Sequence, residues 1–484
     1  MKLRLNDVVS ALSGAPAGAA ASVHSLTAVE IDSRKVQPGS LFIALPGEHS
    51  DGHNFVSHAF SRGAAAALVD RPVDGLWPLL DLRQPGAPLP ESLEQPLCLL
   101  VDNTLHALQQ VAAWWRSQFP VQVVGITGSV GKTTTKEITA AVLRQRYATL
   151  KSEGNLNNEI GLPLTLLQLD DSHQRAVLEM GMYALGEIAQ LCSIAQPRIG
   201  VITNVGPVHL ERLGTIERVA EAKAELVQAL PADGVAVLNA DEPLVAAMRG
   251  LTQARVFTYG LRSDCDLWAD EIAGEGLEGI RFRFHYGQET IHVKVPLLGR
   301  HSVHTALRAA AVGLVEGLTW EEIVSGLQDV GAQLRLVVVR STNGATLLDD
   351  TYNASPASML AALNLLEDMA VGDGRRIAVL GDMMELGSEE EAGHRLVGVR
   401  AADVADYLVT VGPRSRWIAY EARAAGQPAS SVRAVETAAD AIALLRSIIG
   451  PGDVVLVKGS RAAHMDDVVA ALAVPSHDHG AQEV

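Results

Sequence analysis

The chain has 484 residues, 48% hydrophobic and 20% charged, and its formal net charge is −17. This is the balance of a globular protein of about three domains at roughly 150 residues each. The negative charge argues against nucleic-acid binding, which needs a basic surface, and no apolar run is long enough for membrane insertion. The N-terminus lacks the apolar core of a secretory signal, and three widely spaced cysteines indicate neither disulfides nor a zinc site. We therefore expect a cytoplasmic protein.

Three blocks of sequence predict three domains of α/β class. Residues 1–119 contain a Pro-rich segment, RPVDGLWPLLDLRQPGAPLPESLEQP, which predicts an irregular insertion or a surface loop, followed by a helix. Residues 120–330 alternate apolar strands with amphipathic helices, which is typical of a parallel sheet, and end in antiparallel strands near 281–296 and a further helix. Residues 331–484 show a second doubly wound α/β pattern without a GxGxxG fingerprint. We expect a central P-loop ATPase-like domain and a C-terminal Rossmann-like domain.

The stretch Gly125–Glu137, GITGSVGKTTTKE, has the pattern of a shortened phosphate-binding loop. An apolar strand precedes it and a helix follows, which is the context that supports such a match. Gly128 and Gly131 would let the backbone approach phosphate oxygens, Lys132 would reach the terminal phosphates, and the Thr133 hydroxyl would bind Mg²⁺. The alternative is a plain Gly-rich turn, because the first glycine of the full motif is missing.

The segment Thr215–Leu230 predicts an amphipathic helix with Lys223 at the centre of its apolar face. Lysine is rare on a core face. In one interpretation its amine reaches solvent or pairs with a buried carboxylate. In the other, desolvation favours the neutral amine, which can react with CO₂ to give a carbamate whose oxygens bind Mg²⁺.

Polar side chains follow two strands of the second block. Glu179 ends the strand AVLEMG, Asn204 ends IGVITNVG, and His209 lies in the loop after it. In open α/β sheets, ligands bind beyond the carboxyl ends of the strands. Glu179, His209 and Lys223 are therefore candidates for one Mg²⁺ site.

The third block adds acids and an arginine. Asp349 and Asp350 close the strand ATLLDD, where paired acids form either a site or a solvated turn. Arg335 lies 14 residues before Asp349. From there it would reach into a cleft between domains and bind phosphate.

Together these motifs resemble the Mur ligases, ATP-dependent amide-forming enzymes of peptidoglycan precursor synthesis, over nearly the whole chain. That family's loop normally keeps only GxxGK[ST], so the missing glycine is no defect. Its members that join D-alanyl-D-alanine to UDP-N-acetylmuramoyl-tripeptide (UDP-MurNAc-tripeptide) have motifs similar to SEGNLNNEIGLPLTLL (152–167), LLDDTYNASPASMLAAL (347–363), GDMMELGSEEEAGH (381–394) and VKGSRAAHMDDVV (457–469). The DNPR motif of the member that adds the third residue is absent.

The resemblance implies a reaction through an acyl phosphate, and it implies a role for each matching residue. The ATP phosphates would be held by Gly128, Ser129, Val130, Gly131, Lys132, Thr133 and Thr134. Further nucleotide contacts would come from Asn204, Arg335, Asp350 and Tyr352. Two Mg²⁺ ions would be served by Thr133, Glu179, His209 and a carbamylated Lys223. The residues taking part in catalysis would be Lys132, Lys223, His209, Arg335 and Asp350.

The first domain would be a UDP-substrate-binding α/β domain. Its matching residues are Asp32, Ser33, Arg34, Asp51, Gly52 and His53. The rest of the UDP-MurNAc-tripeptide and the incoming dipeptide would be held by Asn157, Asn158 and Asn353. We expect the enzyme to act as a monomer.

Some positions depart from the family pattern. Ser302 and Thr305 stand where asparagines are expected near adenine, Leu334 replaces a glycine, and NASP replaces NANP. The phosphate and metal positions are intact, so we expect an active enzyme. Two alternatives stay open: an amino-acid ligase of the same family with another acceptor, and a catalytically inactive nucleotide-binding regulatory protein.

Overall fold

The computed structural model describes residues 2–14, 25–47, 50–84, 93, 95–329 and 337–474. The strands in this part of the chain form three sheets, of five, nine and six strands. The strands of each sheet lie within one of the three predicted blocks. The mixed α/β class is confirmed, whereas the domain limits at 119 and 330 stay predictions.

The N-terminal block forms a five-stranded parallel sheet. Its helices and strands are α1 (Leu5–Ser13), β1 (Val29–Glu30), β2 (Leu41–Ile43), α2 (Val56–Ser61), β3 (Ala66–Val69), β4 (Leu79–Asp81), β5 (Leu97–Leu100) and α3 (Thr104–Ser117). The strand order is β1-β2-β3-β5-β4, and every pair is parallel. The central strands β2, β3 and β5 are buried, as expected for apolar strands covered on both faces. The Pro-rich segment, predicted as an irregular insertion or a surface loop, contains the short, largely exposed strand β4, so it is not irregular throughout. Residues 85–92 and 94 lie outside the described part.

The central block forms a nine-stranded sheet. Its first half contains β6 (Gln122–Thr127), α4 (Lys132–Arg144), β7 (Thr149–Lys151), α5 (Gly161–Leu166), β8 (Arg175–Glu179), α6 (Glu187–Ala195), β9 (Ile199–Ile202), α7 (Leu210–Leu213) and α8 (Ile216–Gln228). Its second half contains β10 (Val235–Asn239), α9 (Pro243–Ala247), β11 (Arg255–Gly260), β12 (Leu267–Gly274), β13 (Ile280–Tyr286), β14 (Glu289–Val295), α10 (Val303–Val315) and α11 (Trp320–Leu327).

The order of the central strands is β14-β13-β12-β11-β10-β9-β6-β8-β7. Strands β13 and β14 pair antiparallel, as the alternating sequence near 281–296 predicts; β12 also pairs antiparallel with β13, and the other pairs are parallel. The chain adds β7 and β8 on one side of β6 and then crosses to place β9 on the other side. Strand β6 therefore lies at the switch point of the sheet, where open α/β sheets form a crevice for ligands.

The C-terminal block forms a six-stranded sheet. Its elements are β15 (Val337–Arg340), β16 (Thr346–Asp350), α12 (Pro356–Asp368), β17 (Arg376–Gly381), α13 (Glu390–Val404), β18 (Tyr407–Val411), α14 (Arg416–Ala424), β19 (Val432–Val435), α15 (Ala438–Ile448), β20 (Val454–Lys458) and α16 (Met465–Leu472). The order is β15-β16-β20-β17-β18-β19, and only the β15–β16 pair is antiparallel in this described sheet. The register between β16 and β20 places Asp350 opposite Lys458.

Helix α3 fixes the first domain to the second. The indole Nε1 of Trp115 donates to Leu169 O at 3.1 Å, and Gln109 Nε2 donates to Glu159 O at 3.0 Å. Apolar side chains of the first block and of the central block form one continuous buried cluster. The two domains are therefore joined by a packed interface.

Two observations concern the chain as a whole. Cys98, Cys192 and Cys265 are buried and free, and burial raises the pKa of the Cys192 thiol to about 12. These thiols are therefore poor nucleophiles. No described helix combines the length and the apolar character that a membrane span requires.

Candidate active site

A cleft of about 760 Å³ opens between the central and the C-terminal domains. One wall consists of the loop after β6, the ends of β8 and β9, and parts of α8 and α10. The other wall includes Asp350, Tyr352, Asn353 and Lys458. The described residues of the N-terminal block contribute none of the lining. The cleft thus forms at the switch point of the central sheet.

The predicted phosphate loop connects β6 to α4 and is held against the end of β9. Gly128 has a φ of 146°, and a Cβ atom at this position would lie 1.8 Å from Thr203 Oγ1, so a larger residue does not fit. Thr203 Oγ1 donates to Val130 O at 2.7 Å. Asn204 accepts the Val130 N–H at Oδ1 (2.9 Å) and donates through Nδ2 to Val130 O (3.1 Å). The loop is therefore preorganised at the N-terminus of α4, where helix geometry favours an anion.

Thr133 and Glu179 bring two oxygen donors together. Thr133 Oγ1 donates to Glu179 Oε2 at 2.7 Å across the gap between α4 and β8. Asn157 Nδ2 donates to the other carboxylate oxygen, Glu179 Oε1, at 2.8 Å. Hydroxyl and carboxylate oxygens are ligands that Mg²⁺ prefers. No three His, Cys, Asp or Glu side chains of the described ranges converge as a preformed metal cluster.

Two lysines of the cleft lie near each other. Lys132 Nζ donates to Gly128 O at 2.8 Å and to Ser129 O at 3.3 Å, so its side chain folds over the loop. Lys223 lies on the buried face of α8 with 2% of its surface exposed, as its helical position predicts. Burial lowers the pKa of Lys223 well below its usual value, and the charge of Lys132 lowers it further. No carboxylate in the described part of the chain pairs with this amine, which favours the interpretation of a neutral, reactive lysine.

His209 lies where the two domains meet. Its backbone is left-handed, with φ 55°, and its ring packs edge-on against Tyr183 with the centroids 5.0 Å apart. Nδ1 lies 2.7 Å from Glu385 Oε2 of the C-terminal domain, so this contact joins the two domains. Burial lowers the pKa of His209, and the nearby Lys223 and Lys132 lower it further. The Glu385 carboxylate has the opposite effect and raises the pKa. His209 and the two lysines therefore share one electrostatic environment.

The C-terminal wall presents an ion pair. Lys458 Nζ lies 2.7 Å from Asp350 Oδ2 and donates to Asn353 O at 2.9 Å. The Lys458 side chain is almost fully buried, whereas Tyr352 exposes 42% of its surface. This wall therefore combines an anion, a cation and an accessible aromatic ring.

The residues expected to bind the UDP part lie away from this cleft; they are Asp32, Ser33, Arg34, Asp51, Gly52 and His53. Arg34 forms an exposed pair with Asp32, with Nη2 2.7 Å from Oδ2. His53 is buried between Asp51 Oδ1 (2.7 Å) and Asp70 Oδ1 (3.0 Å). The His53 ring therefore links the segment of Asp51 to that of Asp70. Substrate binding by the six residues stays a prediction.

Other predicted residues have local partners. Asn158 Oδ1 accepts the Gly161 N–H at 2.9 Å where α5 begins. Ser302 Oγ donates to Leu298 O at 2.6 Å. Arg335 lies outside the described residues.

Several charged residues of the cleft were not predicted, among them Lys458, Arg308 and Glu385. The sequence marks Lys458 as a candidate site residue, because it is a charged residue at the end of an apolar strand, as Asp350 is. It also marks Arg308, since this is a charged residue within the apolar helix α10, as Lys223 is within α8. It does not mark Glu385, because this residue meets His209 only through the packing of two domains.

Three family models match the chain. They are the Mur ligase middle domain at residues 126–313, the Mur ligase glutamate ligase domain at 334–461 and the Mur ligase family catalytic domain at 25–76. The UDP-N-acetylmuramoyl-tripeptide–D-alanyl-D-alanine ligase of Bacillus subtilis is 37% identical over 446 residues, which is 92% of each chain.

Solved structures agree with these matches. MurF from Acinetobacter baumannii superposes with a TM-score of 0.83 at 30% identity, covering 97% of this chain and 99% of the other. MurF ligase from Thermotoga maritima in complex with ADP gives a TM-score of 0.76 at 28% identity, covering 92% and 96%. The similarity extends over the N-terminal, central and C-terminal sheets alike. The chain therefore belongs to the Mur ligase family, as its motifs predict.

Proposed function

We propose that the chain is an ATP-dependent ligase that joins D-alanyl-D-alanine to UDP-MurNAc-tripeptide, giving UDP-MurNAc-pentapeptide for peptidoglycan synthesis. The observation that carries this proposal is the cleft, in which a phosphate loop with Lys132 and the Thr133–Glu179 pair face the Asp350–Lys458 wall. The B. subtilis relative named for these substrates, 37% identical over 92% of this chain, supports their assignment. The ADP complex of the T. maritima relative supports the nucleotide.

Formation of an amide from a carboxylate in water needs activation. In the proposed route, an oxygen of the tripeptide's terminal carboxylate attacks the γ-phosphorus of ATP; an O–P bond forms, the bond to ADP breaks, and an acyl phosphate results. The amine of D-alanyl-D-alanine then attacks the acyl carbon. The amine loses a proton, the C–N bond forms, and the C–O bond to phosphate breaks.

Lys132 and the loop supply the positive potential for phosphoryl transfer. The amine is held at the loop by the carbonyls of Gly128 and Ser129, from which it would turn to phosphate oxygens. Asn204 keeps the loop in place through both of its bonds to Val130. On the opposite wall Asp350 and Lys458 would position the nucleotide and the incoming dipeptide. Arg335 is proposed as an additional phosphate-binding cation.

Magnesium fits the donors that the cleft presents. The Thr133 hydroxyl and the Glu179 carboxylate would hold one ion, and His209 with a modified Lys223 would serve a second. When bound, Mg²⁺ would neutralise phosphate charge and align the γ-phosphoryl group. Asn157 would keep the Glu179 carboxylate oriented, because it already bonds the second oxygen.

Lys223 suits conversion to a carbamate. Its pKa is lowered by burial, so the neutral amine needed for attack on CO₂ is favoured. The amine would form an N–C bond and lose a proton. The resulting anion would lie beside the Lys132 ammonium, which would stabilise it, whereas the same charge disfavours a protonated Lys223.

The acyl phosphate must be shielded from water. The C-terminal domain already contacts the central domain beside the cleft, through Glu385 and His209 and through Arg300 Nη2, which lies 3.3 Å from Asp368 Oδ1. We propose that these contacts keep the two walls together during the reaction. Since one chain supplies both walls, we propose a monomer, acting in the cytoplasm.

The proposal is tested with ¹⁸O in the terminal carboxylate of UDP-MurNAc-tripeptide. One labelled oxygen should appear in the released phosphate, because the C–O bond of the acyl phosphate breaks. A panel of single amino acids and D-alanyl-D-alanine, competed in one reaction with product masses recorded, should give only the pentapeptide. Unlabelled phosphate would rule out the route, and a product carrying another amino acid would favour a different ligase of the family.

A further inference from the structure

Helix α10 places a buried guanidinium beside the phosphate loop. Arg308 is 5% exposed and lines the cleft. Its Nη1 donates to Thr135 Oγ1 of α4 at 3.0 Å, and its Nε donates to His304 O at 2.8 Å. A Cβ atom at Gly131 would lie 3.4 Å from Nη1. The guanidinium therefore lies against the last residue of the proposed phosphate loop, at the start of α4.

This cation has no counter-ion among the described residues. No described carboxylate lies within 4.0 Å of it, and the acidic groups that influence it most, Tyr259 and Glu242, act only at longer range. Thr305 Oγ1, at 3.5 Å from Nη2, is at the limit of a hydrogen bond. A guanidinium has five N–H donors, and two of them are well bonded here. A buried charge without a partner is costly, so an anion entering the cleft would be favoured at this point.

The position of Arg308 indicates which part of a nucleotide it meets. Thr133 and Glu179 lie on the β8 side of the loop, where the terminal phosphates and Mg²⁺ are assigned. Arg308 lies on the opposite side, toward β10 and Glu242. A triphosphate that runs over the loop therefore brings its sugar-side phosphate to Arg308.

We propose that Arg308 binds the α-phosphate of the nucleotide through its uncommitted N–H groups, as a further cation besides Lys132 and the proposed Arg335. This assignment rests on the proposed ATP site. Thr135 is a positioning residue in this arrangement, because its hydroxyl accepts one N–H of Arg308 Nη1 and so fixes the guanidinium plane. The remaining N–H groups of Nη1 and Nη2 would then bind the phosphate. Planar, bidentate contacts of this kind are characteristic of arginine on phosphate.

The test compares the affinities of ATP, ADP, AMP and adenosine for the wild type and for Arg308→Met, by displacement of a fluorescent ATP analogue. Loss of hydrogen bonds to a charged group predicts affinity about 10- to 100-fold weaker. All three phosphate-bearing ligands should lose the same factor, and adenosine should lose none. Arg308→Lys keeps the positive charge but lacks the planar pair of N–H donors, so its nucleotide affinity should lie between those of the wild type and Arg308→Met.

Lys132→Met is the matched control. It removes a cation assigned to the terminal phosphates, so ATP and ADP should weaken while AMP keeps its affinity. Thermal unfolding of each variant without ligand shows whether the fold is retained. Wild-type AMP affinity in Arg308→Met, or an equal loss for adenosine, would overturn the assignment and leave Arg308 a purely structural residue. If the wild type bound no nucleotide, the proposed ATP site itself would fail, and this assignment with it.

Discussion

Replacement of Gly128 by alanine tests the phosphate loop most sharply, because its consequences can be worked out atom by atom. The added Cβ would lie 1.8 Å from Thr203 Oγ1 and 2.9 Å from Thr203 Cβ, and 3.1 Å from the Asn204 nitrogen. The backbone at Gly128 also has φ 146°, which L-residues rarely adopt. The substitution must therefore move the loop, the end of β9, or both.

The cost follows from two terms. Forcing a residue with a side chain into a sparsely populated backbone region costs on the order of 1–3 kcal/mol. Displacing Thr203 breaks its 2.7 Å bond to Val130 O, a net loss of about 1 kcal/mol. We expect a destabilisation of about 2–4 kcal/mol and a loop that no longer presents its N–H groups to phosphate, so that affinity for ATP falls at least tenfold.

The assay is ATP binding together with thermal unfolding of the purified protein. Gly131→Ala is the matched control: its φ is also positive, at 82°, but its Cβ would meet only the Arg308 side chain at 3.4 Å, so its effect should be smaller. Thr203→Ala in the Gly128→Ala background removes the closest clash and should restore part of the stability. Wild-type ATP affinity and unfolding temperature in Gly128→Ala would refute the reasoning.

Three further substitutions test the remaining groups of the cleft. Lys223→Met should abolish turnover yet raise the unfolding temperature in degassed buffer, because an apolar chain of similar length replaces a buried amine. The pKa of Lys223 is lower in the folded than in the unfolded state, so the wild type gains stability as pH rises toward 10.5. The difference in unfolding temperature between Lys223→Met and the wild type should therefore become smaller as pH rises, as melting curves over a pH series measure. Glu179→Gln keeps the size but removes the anion, so kcat should fall roughly 100-fold and the Mg²⁺ concentration for half-maximal rate should rise, as a Mg²⁺ titration measures. Lys458→Met leaves the Asp350 carboxylate without its 2.7 Å partner and should lower kcat, and Asp350→Asn in the same chain should then cost less than it does alone, as a double-mutant cycle measures.

For each of the three substitutions, one result would contradict the prediction. Turnover in Lys223→Met would exclude a carbamate from the mechanism. An unchanged Mg²⁺ requirement in Glu179→Gln would remove that carboxylate from the metal site. Strictly additive effects of the Lys458 and Asp350 substitutions would show that their contact does not contribute to the reaction.

The parts of the site that the sequence predicts are those set by local periodicity. Lys223 was found on a core face because side chains 3 and 4 residues apart share one side of a helix. Gly128 and Thr133 were found because strand, loop and helix follow one another directly along the chain. Arg308 and Lys458 carry signals of the same two kinds, a charge in an apolar helix and a charge at a strand end.

Other features depend on long-range packing. His53 joins Asp51 to Asp70, which lies on a different segment, and nothing in its local sequence distinguishes this buried role from substrate binding. The contact of His209 with Glu385 depends on how two domains meet. We expect Asn157 to hold substrate, and in the structure its amide also donates to Glu179, which ends β8 and lies 22 residues further along the chain. These pairings follow from sheet order and domain packing, which no local pattern encodes.

The central claim is tested most directly by phosphate release from ATP and Mg²⁺ with UDP-MurNAc-tripeptide, with D-alanyl-D-alanine present or absent and the product mass recorded. We expect release that depends on both the tripeptide and the dipeptide, with one UDP-MurNAc-pentapeptide formed for each phosphate. Binding of ATP without release under any of these conditions would contradict the assignment and favour a nucleotide-binding regulatory protein.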